Sequence, residues 1–183
     1  MGNTREITGK FAINYIVVGC VIGIIGFLLE NMLPKMFNLD YGIATMLIQT
    51  GIFFVCTLLI GFIVISASFG KKKVNEKDAA TVVKSTRVIL IIIAIIVMFL
   101  NFFYCWNLLN SEYKDINDSK GKYSDYSDSE KDDAKKETKE VTAIYMVVKE
   151  IVTIGSYILV ASFTKSYIDK RIDNNIEESE DEE

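Results

Sequence analysis

Residues 70–87 read Gly-Lys-Lys-Lys-Val-Asn-Glu-Lys-Asp-Ala-Ala-Thr-Val-Val-Lys-Ser-Thr-Arg, six cations against the two acids Glu76 and Asp78. On both sides stand apolar runs long and charge-free beyond what a soluble core needs. Lys and Arg collect in the cytoplasmic loops between membrane spans, so this stretch sets how the whole chain lies.

Working outward, charge makes up 24% of the 183 residues yet is confined to the ends and two loops. About 20 helical residues cross the hydrocarbon of a bilayer. Four windows meet that length: 11–29, 42–69, 88–109 and a fourth that enters the hydrocarbon near Ile151 and leaves near Ile168. The fold class is therefore all-α, a polytopic four-helix bundle of transmembrane helices. The units are a short N-terminus (1–10), a first transmembrane hairpin (11–69), the basic loop (70–87), a second hairpin (88–168) and an acidic tail (169–183). Within the second hairpin the charged connection 111–140, with its Tyr-Ser-Asp repeats, lacks the apolar surface to order its centre and is expected to be partly disordered.

The first window reads as an uncleaved span, since it exceeds a signal-peptide core and no small-x-small cleavage site follows. Glu30, Asn31 and Pro34 are expected to end it. Asp78 is the expected N-cap of the third helix, whose far end carries Tyr104 and Trp106, residues that favour the headgroup level. Arg5 and Lys10 before the first hairpin, and six cations after it, outnumber Lys35 in its turn. That count predicts a multi-pass protein of the cell membrane with both termini cytoplasmic. The connection 111–140 weakens the count with seven lysines, though ten acids accompany them.

Three features of the spans invite a role. Gly19, Gly23 and Gly26 remove side-chain bulk from one face of the first span, which lets another helix approach closely. Gln49, Thr50 and Thr57 are a thin candidate polar path along the second. In the fourth, Val141, Ile144, Tyr145, Val148, Ile151 and Val152 follow helical spacing, with Lys149 and Glu150 largely elsewhere around the helix, so the span is expected to begin as an amphipathic extension outside the membrane. The stretch 60–71 also aligns with 154–165 at six of twelve positions. A duplicated hairpin would produce that echo, as a parallel repeat about an axis near the membrane normal.

Reactive chemistry is sparse. There is no histidine, and the three cysteines lie in separate apolar runs with no Cys-x-x-Cys spacing. No nucleophile–base pair, metal cluster or phosphate loop stands out, so neither an enzyme nor a cofactor or metal site is expected. The interface charges Glu30, Lys149 and Glu150 are expected at the outer ends of their spans, wet or paired with each other. The basic loop cations Lys71, Lys72, Lys73, Lys77, Lys84 and Arg87 are expected to meet anionic lipid headgroups. Nucleic acid is not an expected partner. Two functions follow: an accessory, regulatory or immunity-type protein that binds a membrane-protein partner or a second copy, or alternatively a transporter or channel subunit.

Overall fold

The computed structural model describes residues 2–37, 39, 42–70, 76–118 and 120–180, with backbone alone for 2, 3, 76, 77 and 171–180. Four helices account for nearly all of it: α1 (Gly2–Met36), α2 (Ile43–Phe69), α3 (Glu76–Asn117) and α4 (Asp128–Glu180). No strand occurs among the described residues. All four helices are long and apolar enough to cross a membrane, and four such helices suit a membrane protein.

The helices outrun their expected ends. Pro34 lies inside α1, which continues to Met36; so close to the C-terminus its missing N–H removes a single backbone bond. Asp78 falls within the first turn of α3 instead of capping it. The connection expected to be partly disordered, 111–140, is helical at both ends, leaving only 118–127 between α3 and α4. The reason is local. Ser127 and Glu130 form a reciprocal capping box, with the Ser127 N–H donating to Glu130 Oε2 at 2.7 Å and the Glu130 N–H donating to Ser127 Oγ at 3.3 Å. The Lys-, Glu- and Ala-rich run behind it forms helix readily.

Contacts join α1 to α2, α2 to α4, α4 to α3 and α3 to α1; among the described residues none joins α1 to α4 or α2 to α3 at the backbone. The ring order is thus α1–α2–α4–α3, with the parallel helices side by side. An axis along the bundle relating the two hairpins would instead set α1 diagonally across from α3, so the expected repeat about the membrane normal is not the arrangement adopted. Packing at the echoed positions diverges too: Phe69 is 1% exposed, whereas its counterpart Phe163 is 54% exposed. A Cβ on Gly61 would sit 2.5 Å from Val160 Cγ2, while one on the matching Gly155 would meet nothing within 4 Å.

One core fills the end where α1 and α3 begin and α2 and α4 end, here termed basal. Phe11, Tyr15, Val64, Phe69, Val82, Leu90, Tyr157 and Val160 are buried in it. At the far end a smaller cluster gathers around Met46, Cys105 and Tyr145. Between them the buried face of α4 runs Thr138, Thr142, Tyr145, Lys149, Thr153, Ser156, Val160, Thr164, Ile168, whereas Ile144, Val148 and Ile151 are exposed. The apolar residues of the amphipathic pattern are therefore largely turned outward, Tyr145 excepted. In hydrocarbon an aliphatic surface gains nothing by leaving the solvent, whereas hydroxyls and charges must find partners inside.

Candidate functional site

The far half of the bundle is built around Lys149. Its Nζ donates to Glu30 Oε2 at 2.9 Å and to Tyr145 Oη at 3.2 Å. The side chains of the pair are 3% and 7% exposed. Around the ammonium stand the rings of Tyr104, Phe53 and Tyr145, with centroids at 4.6, 5.3 and 5.4 Å. Ring faces carry negative charge density, so this box adds to the carboxylate in holding a buried cation. The group thus takes its anion from α1 and its rings from α2, α3 and α4.

A second set of bonds closes the same layer. Gln49 Nε2 donates to the Glu30 carbonyl at 3.1 Å and to Tyr104 Oη at 3.4 Å. That carbonyl is open because its partner four residues on would be the N–H that Pro34 lacks. Asn101 Nδ2 donates to Thr153 Oγ1 at 3.0 Å, and Thr153 Oγ1 donates to the Lys149 carbonyl at 2.8 Å. The helix pairs with no backbone contact are bridged here by side chains: α1 to α4 through Glu30–Lys149, and α2 to α3 through Gln49–Tyr104. Both diagonals of the bundle cross at this polar layer.

Exposed apolar residues continue beyond the pair on three helices. Exposed apolar residues on α4 begin at Ile144, not near Ile151, which places Lys149 about 7.5 Å inside the apolar surface. On α1, Met32 and Met36 are exposed beyond Glu30, and on α3 so is Trp106 beyond Tyr104. Of the two expected settings, the acid and the lysine adopt the paired one, under an apolar belt. Glu150, next along α4, is half-buried and takes no part in the pair.

A cavity of about 320 Å³ adjoins the pair, walled by Gly23, Gly26 and Phe27 from α1, by Cys56 and Thr57 from α2 and by Leu100 from α3. Gly26 would place a Cβ 3.0 Å from Cys56 Sγ, whereas Gly19 and Gly23 face open space. Within this chain, then, only Gly26 of the three is a packing glycine. Gln49, Thr50 and Thr57 are all buried but form no continuous path. Gln49 is held by Glu30 and Tyr104, Thr57 Oγ1 donates back to the Phe53 carbonyl at 2.9 Å, and the basal core fills the bundle below.

Of the basic loop, Lys71, Lys72 and Lys73 lie outside the described residues, as does the Lys77 side chain; Lys84 and Arg87 are exposed on α3. The cysteines Cys20, Cys56 and Cys105 are free. Sequence reasoning did not find Phe53, Tyr104, Asn101, Tyr145 or Thr153 as members of the site. A signal existed for three of the site's residues, since Tyr145, Lys149 and Thr153 recur every four residues and so share one helix face. Neither a protein-family model, a characterised protein nor a solved structure matches this chain.

Proposed function

We propose that this chain is a small integral membrane protein of accessory, regulatory or immunity type, acting in the cell membrane by binding another membrane protein or a second copy of itself. The observation that carries this reading is the uncovered face of α1, where nothing lies within 4 Å of the Cβ positions of Gly19 and Gly23. Helices in lipid associate through close backbone packing, which small residues permit. Only 11% of the most apolar window of α1 is buried within the bundle, against 39% for α2, so α1 has the surface to spare. Glu30, Lys149, the Gln49 amide N–H, Asn101 and Thr153, by contrast, are used in closing the bundle on itself. Both termini lie in the cytoplasm on this reading, because the described cations Arg5, Lys10, Lys84 and Arg87 share the basal end, where they also meet anionic headgroups.

The test is capture of the solubilised protein after crosslinking in the membrane. Gly19→Leu should abolish the crosslinked partner or dimer while leaving the melting curve of the bundle unchanged. Unaltered crosslinking in the variant removes the basis of the proposal. The transporter or channel reading is favoured by one feature, the Glu30–Lys149 pair on a cavity wall at membrane depth. It requires solute or ion flux in proteoliposomes that Glu30→Gln changes.

A further inference from the structure

Two cavities meet on the α3–α4 seam at the basal end. One, of about 450 Å³, is an apolar groove along Leu90, Ala94, Tyr157 and Ala161. The other, of about 420 Å³, collects Arg87 from α3 with Lys165 and Lys170 from α4, alongside Ser166 and Asp169. Arg87 and Ser162 line both, so the groove and the cationic pocket adjoin. Among the described residues no carboxylate lies within 4 Å of the nitrogens of these three cations. Three positive charges against Asp169 leave an excess of two.

An occupant must satisfy both halves. The groove lies among the exposed Ile91, Ile95 and Ile158, within the apolar belt, where an unpaired peptide group would be costly. A hydrocarbon chain has no such groups. The pocket sits where the belt ends and calls for an anion, and basic pockets between membrane helices are a recurrent way of holding lipid headgroups. We propose that groove and pocket together hold one anionic phospholipid, with an acyl chain along Leu90, Ala94 and Ala161 and its phosphate among Arg87, Lys165 and Lys170. A lipid so placed grips α3 and α4 at once. The chemistry is the same whichever side of the membrane the basal end faces.

Native mass spectrometry of the intact protein, titrated with phosphatidylglycerol or phosphatidylcholine, tests this. Phosphatidylglycerol should bind more tightly, and Arg87→Gln with Lys165→Gln should weaken it roughly 30-fold, about tenfold for each 1.4 kcal/mol at about 1 kcal/mol per cation. Lys139→Gln, which alters an exposed cation at the far end of α4 and outside both cavities, should leave binding unchanged. Ala94→Phe and, independently, Ala161→Phe should each reduce binding with every charge intact, circular dichroism confirming that they fold. Glycerol phosphate without acyl chains should not compete. Equal affinity for the two lipids, or indifference to the double charge variant, overturns the proposal. Competition by glycerol phosphate as effective as by lipid also overturns it, by reducing the site to a simple anion pocket.

Discussion

Removing one member of the Glu30–Lys149 pair should destabilise the bundle more than removing both. At the observed 2.9 Å, two unit charges in an effective dielectric near 20 attract by about 6 kcal/mol. Withdrawing each ion from water costs several kcal/mol, so the pair as a whole is close to neutral for stability. A single substitution removes the attraction and leaves the remaining ion buried, at about 3–5 kcal/mol. Lys149→Met should fall at the upper end of that range, because Glu30 then loses its only described ionic partner. Glu30→Met should be milder, since the Tyr145 hydroxyl and the rings of Phe53 and Tyr104 still face the ammonium, and such contacts reach about 2 kcal/mol when desolvated. With both replaced, the loss should return to about 1–2 kcal/mol, because Met is apolar and of similar length. The assay is reversible unfolding in mixed micelles with rising dodecyl sulfate, followed by circular dichroism. Polar couplings measured within bilayers run lower than in water, because the unfolded helices also find partners there; the sign of the coupling is therefore the decisive quantity. Additive losses in the double variant would refute the reasoning, since Glu30 and Lys149 would then act independently.

Gly61→Ala should cost about 1–3 kcal/mol in the same assay, as its Cβ would press on the β-branched Val160; an unchanged midpoint would show that α2 and α4 can separate freely. Cysteines introduced singly at Ser127 and Asn75 should label oppositely with an impermeant reagent on intact cells, Ser127 reacting and Asn75 not; the reverse result inverts the topology. Hydrogen bonds from the Ser127 hydroxyl and N–H hold the Glu130 carboxyl below its ordinary value of 4.5. A lowered folded-state value means the stabilisation is complete above about pH 4.5 and is lost as pH falls through the lower folded value. The first turn of α4 should accordingly lose amide protection in acid, and Ser127→Ala, which keeps only the backbone N–H bond, should reduce that pH dependence.

The number of helices and their rough limits are legible in the sequence, because windows such as 88–109 permit no other element in lipid. Which face of each helix turns inward is less legible, and α4 shows why. Its aliphatic residues Ile144, Val148 and Ile151 follow helical spacing as faithfully as any buried stripe in a water-soluble bundle. The same spacing marks a lipid-facing stripe when the solvent is hydrocarbon, and the inner face must then be read from Thr142, Tyr145, Lys149, Thr153 and Ser156. The pairing of Glu30 with Lys149 spans 119 residues, and no local pattern encodes such a partner. The charge signs and similar expected depths made it one option among two. The ring box is wholly a product of the fold, since Phe53, Tyr104 and Tyr145 come from three helices.

Helix neighbours are chosen by features that hydropathy does not record. Two antiparallel hairpins can close a four-membered ring with α2 beside α3, or with α2 beside α4. Glu30 and Lys149 could meet in either ring, adjacent in the first and diagonal in the second, so the ion pair alone does not decide. Gly61 does discriminate: its missing side chain admits Val160, bringing the parallel helices α2 and α4 together, and no equivalent approach is made at Gly155. Phe11 against Phe69, at 5.8 Å between ring centroids, then fixes α1 on the other side of α2. With those neighbours set, α1 faces α4 across the centre, where Tyr15 reaches the Tyr157 ring at 6.2 Å in the basal half and Glu30 reaches Lys149 in the far half. Close packing at the basal end therefore selects the ring, and the polar layer fixes its register, since a slip of one residue would rotate Lys149 by about 100° toward lipid.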